Sequence, residues 1–278
     1  MGHGAHWKCV YDDIEVFVED ELPALVKSLG VILETEWTGS RAPVEGVVPG
    51  RVLYLAEADG DLRHILIVLR DEDGARSTLL SAYPFCCSGI VHEVTLTAID
   101  EDPRRLEARL TGTIRGSSEI AFFDAHYGPN RATYEIGGTY PFRLGAIAYD
   151  LKLPDRDFIE ITDPDRSLAV RRMIRAAGGT VGDGNGPLKL ELDGAAMMFP
   201  IEEWEAGDYS FYAPVKEVVP CRLGGRPIAG LQITPLRLDG DDYDIVLYAA
   251  AHRLGEGFEP STGTDVTGAF WLQGHLAD

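Results

Sequence analysis

Two stretches decide the fold of this chain: "EIAFFDAHYGP" at residues 119–129 and "DIVLYAAAHRLG" at residues 244–255. Each starts with an acidic residue, continues as an apolar run with aromatic residues and then reaches a histidine; the starting points lie 125 residues apart (244 minus 119). When the stretches are aligned without a gap, His126 falls opposite Ala251 and misses His252 by one position. We interpret the pair as the mark of one fold used twice rather than of an active site.

Alternating apolar and polar residues surround both stretches. In "RLEARLTGTI" (105–114), and in residues 93–98 before it, the apolar residues recur at every second position, which is typical of strands with one solvated face. The segment "YPFRLGAIAY" (140–149) has the same period. The tail repeats this order in "PVKEVV", "LQITPLRL", "YDIVLY" and "DVTGAFWLQGHL", with Gly138 matched to Gly263. The pattern predicts two sets of four strands, each with a long connection before its last strand.

Short strands joined by turns, with a third strand apolar on both faces, are typical of a small closed barrel. We therefore predict a mostly β (α+β) fold with two small OB-like or Greek-key β-barrel domains. The predicted divisions are a mixed helix and strand segment at 1–87, a first barrel at 88–153, a helix-containing insertion or linker at 154–207 and a second barrel at 208–278.

Helical and hairpin patterns fill the remaining segments. Residues 14–29 place apolar side chains on one helical face, and Pro23 predicts a break there with Asp20 capping the second piece. Residues 51–74 predict two strands around an Asp-Gly turn. Residues 163–179 predict a short helix that begins with acidic residues.

The C-terminal strands also resemble a known pattern. "DYSFYAPVKEV" (208–218) together with "GTDVTGAFWLQGHL" (263–276) is similar to the C-terminal signature of an uncharacterised bacterial protein family, Gly-x-Asp-x-x-Gly-x-x-Trp-Leu-Gln-Gly-x-Leu. The resemblance covers about a quarter of the chain. It supports the boundary of the second barrel and implies no catalytic residue.

Composition narrows the classes of function. The 278 residues include 45 acidic and 25 basic side chains, for a formal net charge of −20 and a pI near 4.7. Such a surface repels phosphate backbones, so binding to nucleic acid is disfavoured and a protein partner with a basic surface is favoured. No run approaches the roughly 20 apolar residues that a transmembrane helix needs, and the N-terminal "MGHGAHWKCV" lacks the layout of a secretory signal. We expect a soluble, acidic, cytoplasmic protein with reduced cysteines.

Several side chains are candidates for a site at the mouths of the barrels. The candidate ligand-binding residues, which follow or belong to the two buried strands, are Phe123, His126, Tyr127, Tyr248 and His252. His3, His6 and Cys9 stand at spacings of three, but the ordered second pair of ligands that a structural zinc site requires is missing. We predict no metal and no cofactor, and we expect the N-terminus to be frayed.

The functional prediction is a noncatalytic binding or protein-interaction module with an acidic surface. The first alternative is an enzyme with an unrecognised site, such as a hydrolase whose metal is held by histidines and carboxylates. The second is an OB-type binder of single-stranded nucleic acid that stacks bases on exposed rings. Its candidate rings, all in the first predicted barrel, are Phe122, Phe123, Tyr127, Tyr134 and Tyr149.

Overall fold

The computed structural model describes residues 3–277, except for residues 38–49, 72, 75, 115–117, 157, 177–179, 183, 185, 202–203 and 239–240. Strands dominate, which confirms the predicted mostly β class. The strands are β1 (Gly30–Trp37), β2 (Gly50–Ala56), β3 (Leu62–Asp71), β4 (Ser77–Cys86), β5 (Ile90–Glu101), β6 (Ala108–Ile114), β7 (Ser118–Asp124), β8 (Thr139–Lys152), β9 (Phe158–Ile161), β10 (Leu188–Glu191), β11 (Met197–Pro200), β12 (Asp208–Leu223), β13 (Arg226–Leu238), β14 (Asp241–Ala250) and β15 (Asp265–Leu276).

The helices are short. The α-helices are α1 (Gly4–Lys8), α2 (Ile14–Val16), α3 (Leu22–Ser28), α4 (Tyr127–Asn130) and α5 (Pro164–Ala176), with a π-helical turn at Phe17–Glu21 and a 3-10 turn at Ala251–Arg253. Among the described residues, every helix is too short or too polar to span a lipid bilayer.

Three sheets organise the described strands. The first is an antiparallel meander in the order β1-β2-β3-β4, and the second is the β9–β10 pair. The third has nine strands in the order β11-β12-β13-β14-β8-β15-β7-β6-β5, and it gains two closing contacts, β12 with β15 and β5 with β8. These contacts produce two closed circuits, β5-β6-β7-β15-β8 and β12-β13-β14-β8-β15.

The two circuits share β8 and β15. These strands pair antiparallel from Thr267 opposite Lys152 to Leu276 opposite Phe142. On their other sides, β7 adds parallel to β15 and β14 adds parallel to β8. Strands from 88–153 and strands from 208–278 therefore complete each other's circuits within one sheet.

Corresponding strands of the two sets carry the same local hydrogen bonds. The carbonyl of Leu96 accepts a hydrogen bond from the Gly137 amide at 2.8 Å, and the amide of Leu96 donates to the Gly138 carbonyl at 2.9 Å. Both bonds lie just before a bulge in β5. Val215 makes the same pair with Gly263 and Thr264, also at 2.8 and 2.9 Å, just before a bulge in β12. Gly137 and Gly263 share a left-handed φ, 87° and 83°. This geometry matches Gly263 with Gly137 and not, as the sequence alignment has it, with Gly138, so the two connections differ in length by one residue before that glycine.

Two hydrophobic clusters lie on opposite faces of the shared strands. Strand alternation sends Phe122 and Phe270 into the first cluster, which fills the two circuits, and sends Phe123 and Trp271 into the second. The second cluster also contains Tyr83 and its neighbours from the four-stranded sheet. The apolar run around residues 120–123 is therefore buried on both faces, as the sequence indicates.

The expectation of a frayed N-terminus is wrong. His3, His6, Trp7 and Cys9 are buried, and the Trp7 indole donates to the Ala82 carbonyl at 3.0 Å. The reason is that α1 places its rings over the second cluster, which would otherwise expose aromatic surface to water.

The predicted break in the next helical segment is present but has a different form. Asp13, not Asp20, is the capping side chain, and it accepts the amides of Glu15 and Val16. The break is the π-helical turn directly before α3, and Pro23, which has no backbone N–H donor, lies in the first turn of α3.

The close approach of β8 and β15 generates a stability prediction. A Cβ at Gly268 would overlap the carbonyl oxygen of Asp150 on the partner strand. We expect Gly268→Ala to lower the free energy of unfolding by about 1–3 kcal/mol through overpacking. Gly30→Ala is the matched control, because a Cβ at Gly30 meets no atom within 4 Å. Urea unfolding of both variants measures the difference, and equal midpoints would contradict the account.

The burial of the thiols generates a second prediction. Cys9 is 1% exposed, and burial raises its pKa to about 12, whereas Cys87 is half-buried. Since the thiolate is the reactive form, a disulfide reagent should modify Cys87 first and Cys9 only after denaturant is added. Mass spectrometry of the labelled peptides checks the order, and early labelling of Cys9 would argue against the ordered N-terminal segment.

Candidate functional site

A pocket of about 300 Å³ opens where α1 meets the start of β12 and the end of β8. This volume is at the lower end of the range for sites that bind small ligands or single side chains. The lining residues come from three segments of the chain and are Ala5, His6, Tyr149, Trp204, Glu205 and Asp208.

Asp208 is the buried acid of this pocket. Its Oδ1 accepts the Tyr149 hydroxyl at 2.6 Å, and its Oδ2 accepts the Glu205 amide at 3.1 Å, within a turn that also joins the Asp208 amide to the Glu205 carbonyl. Burial raises the pKa of Asp208 to about 6, against the lowering effect of these hydrogen bonds. The carboxyl group therefore changes charge close to neutral pH.

Two rings form a corner beside this acid. The rings of Tyr149 and Trp204 are 5.0 Å apart between centroids and lie at 84° to each other. Trp204 is 49% exposed, so a large part of its indole is open to solvent beside the pocket. The two rings therefore offer aromatic surface to a ligand in the pocket.

Glu205 supplies a second carboxylate. It forms an ion pair with Arg109 of β6, whose Nη2 lies 3.1 Å from Glu205 Oε2. The same arginine lies 3.8 Å from the exposed carboxylate of Asp100. The ion pair holds Glu205 at the mouth of the pocket.

A chain of buried groups leads to the pocket wall through His6. Glu107 Oε1 lies 3.3 Å from His3 Nε2, and His3 Nδ1 lies 3.0 Å from His6 Nδ1. If Glu107 accepts from His3 Nε2, then His3 Nδ1 accepts from His6 Nδ1, which leaves His6 Nε2 as an acceptor. Burial, followed by the nearby charges of His3 and Arg109, lowers the pKa of His6 to about 3, so this imidazole is neutral.

Packing holds the His6 ring in place. It stacks on Trp271 of β15 with centroids 3.7 Å apart and an angle of 8° between the planes. The polar groups at the wall are thus two carboxyl groups and a neutral imidazole, beside two aromatic rings. Acceptors and ring faces together attract a cation or another donor-rich group.

The residues predicted to bind a ligand lie elsewhere. Phe123 and Tyr248 are buried in the second cluster, and Tyr248 donates to the Ser88 carbonyl at 3.2 Å. His126 packs against Phe85 at 4.7 Å between centroids. None of these three residues lines the pocket, and their predicted role in binding a ligand stays a prediction.

The two remaining candidates also lie outside the pocket. His252 is exposed and lies 3.0 Å from the Lys8 carbonyl, at the end of α1. Tyr127 is buried, donates to Glu101, and lines a second cleft of about 360 Å³. Behind this cleft lies Asp124, whose complete burial raises its pKa to about 7.

The rings considered for base stacking are almost all core residues. Phe122, Phe123, Tyr127 and Tyr134 are buried in the two clusters. Of that set only Tyr149 lines the pocket described above. A stacking platform needs exposed ring faces, so these four residues do not form one.

The hydrolase alternative requires histidine and carboxylate side chains that are close enough to hold a metal ion. Among the described residues, no group of three or more His, Cys, Asp or Glu side chains is placed to hold a metal ion. His3 and His6 contact each other, but Cys9 instead donates to the Ala5 carbonyl at 3.7 Å.

Comparison with known proteins adds no relative. No protein-family model, curated protein or solved structure matches the chain. The resemblance of its C-terminal segment to a bacterial family therefore stays a prediction.

The buried acid of the pocket generates a pH prediction. The folded-state pKa of Asp208, about 6, is raised above its ordinary value of 3.8. The folded protein therefore holds this proton more tightly than the unfolded chain, and the stability that this group contributes falls as pH rises through that interval. We expect Asp208→Asn to gain stability relative to the wild type between about pH 4 and pH 6 and to keep a constant difference above pH 7.

Urea unfolding across this pH range measures the difference. Asp193→Asn is the control, because Asp193 is exposed and does not line the pocket; this variant should follow the wild-type profile. Parallel curves for Asp208→Asn and the wild type would contradict the assignment.

Proposed function

We propose that this protein is a noncatalytic binding module for a protein partner with a basic surface, and that its pocket receives one basic side chain of that partner. The observation that carries the proposal is the grouping of Trp204 and Tyr149 with the carboxyl groups of Glu205 and Asp208 around one pocket of side-chain size. A cation gains from both the ring faces and the negative charge.

The charge of the whole chain supports the same partner. A net charge of −20 gives long-range attraction for a basic surface and repulsion for nucleic acid. Such attraction raises association rates, while specificity comes from the contacts made after encounter. The pocket supplies a specific contact of this kind.

The cytoplasm is the compartment that we propose for this interaction. All four cysteines, Cys9, Cys86, Cys87 and Cys221, are free thiols, and free thiols are typical of reducing compartments.

The scaffold of the module is proposed to be a tandem repeat of an OB-like unit. Support comes from the matching hydrogen bonds of Leu96 and Val215 and from the equal left-handed conformations of Gly137 and Gly263. In this interpretation the pocket lies where Tyr149 of the first unit meets Asp208 of the second, together with α1 and the segment that carries Trp204 and Glu205.

Binding of model peptides tests the proposed function. We expect a lysine- and arginine-rich peptide to bind in isothermal titration calorimetry at low salt, and an acidic peptide of the same length not to bind. Affinity should fall as salt rises because the attraction is screened. Trp204→Ala should weaken binding about tenfold, the scale of one cation–π contact in a partly desolvated site.

Phe199→Ala is the matched control for Trp204→Ala. Phe199 is also an exposed ring, 53% accessible on β11, but it does not line the pocket. Equal affinity of the Trp204→Ala variant and the wild type would remove the pocket from the interface. Lack of binding by any basic peptide at low salt would overturn the proposed function itself.

A further inference from the structure

We propose that the cation that binds in this pocket is an N-methylated ammonium group, either on a methylated lysine side chain or on a small quaternary ammonium compound. The inference rests on the proposed function and specifies the chemistry of the same site. Four features of the pocket lead to it: the ring corner, the engaged carboxylates, the neutral imidazole and the apolar wall.

The ring corner gives the first step. Two aromatic rings at 84° to each other can contact two sides of a rounded group at the same time. A methylated ammonium is rounded and spreads its positive charge over its methyl groups, which pack against ring faces. A guanidinium is planar and is satisfied best by bidentate carboxylates.

The state of the carboxylates gives the second step. Both oxygens of Asp208 already accept hydrogen bonds, from the Tyr149 hydroxyl and the Glu205 amide. Glu205 is in turn engaged by Arg109. These contacts occupy part of the acceptor capacity of the two carboxyl groups, which also supply negative potential at the pocket.

The number of hydrogen-bond donors on the ligand gives the third step. An unmodified lysine brings three N–H donors, and each donor that is desolvated without an acceptor costs about 1–3 kcal/mol. Methylation removes these donors and keeps the charge. His6 is neutral and offers at most one further acceptor, at Nε2.

The apolar character of the wall gives the fourth step. Ala5, the two rings and the stacked imidazole of His6 present mainly carbon to the pocket. Methyl groups gain from burial against such a surface, whereas a strongly hydrated ammonium gives up part of its hydration there. Shape, hydrogen bonding and desolvation thus favour the same ligand.

Titration of the full-length protein with a small series of probes tests the inference. The probes are choline, the neutral analogue of choline in which carbon replaces the nitrogen, and three peptides of one sequence that carry lysine, trimethyllysine or arginine at the central position. Quenching of Trp204 fluorescence reports occupancy, with Trp204→Phe as the optical control and calorimetry as the second measurement.

We expect trimethyllysine to bind about tenfold more tightly than lysine or arginine, and choline to bind more tightly than its neutral analogue. Trp204→Ala should abolish the preference for methylation, whereas Phe199→Ala should preserve it. Trp204 is exposed, so its replacement leaves the buried clusters intact, and an unchanged melting temperature verifies this.

The outcomes separate this inference from the proposed function. Binding of choline without the trimethyllysine peptide supports the methylated-ammonium site and assigns it to a small molecule. Equal or tighter binding of lysine or arginine overturns the inference and leaves the basic-partner proposal intact. Equal binding of choline and its neutral analogue also overturns it, since the charge would then be irrelevant. Absence of binding by every probe overturns both.

Discussion

The antiparallel pairing of β8 with β15 is the constraint on which the rest of the structure depends. Both closed circuits of the large sheet run through these two strands, so neither can close if the pair separates. The backbones approach closely at Gly268 and Gly274, where a side chain would overlap the partner strand or the rings beside it. The strand period then sends Phe270 to one hydrophobic cluster and Trp271 to the other, so a shift of one residue would invert both.

This pairing also determines where the pocket can form. Trp271, turned outward from the circuits, requires a cover, and α1 provides it by stacking His6 on the indole. This contact also brings Ala5 and His6 of α1 next to Tyr149 of β8 and Asp208 at the start of β12. The pocket is thus a consequence of burying the outer face of the shared strands.

The sequence predicts the strands well because their signal is local. Residues 108–114 alternate in burial as the sequence alternates, and the apolar run at 120–123 is buried on both faces. Residues 144–148 of β8 are also buried on both faces, because this strand lies inside the large sheet. The parallel contacts of β7 with β15 and of β14 with β8 join residues more than 90 positions apart, and no local pattern encodes them. The order of the N-terminal segment was missed for the same reason, since His3 and His6 are held by Glu107 and Trp271.

The sequence does not predict the pocket, because the raised pKa of its acid results from burial and not from a sequence motif. Asp208 and Glu205 stand in an acidic stretch where carboxylates are common, and only the fold reveals that Asp208 is desolvated. A carboxyl group with a raised pKa is less favourable when ionised, and a cation placed beside it reverses that penalty. Cation and proton therefore compete for Asp208, and by linkage a bound cation lowers the pKa of this group as much as protonation weakens the binding of the cation. The desolvation of Asp208 that lowers the stability of the folded protein at neutral pH also strengthens the attraction of this carboxyl group for a positive ligand.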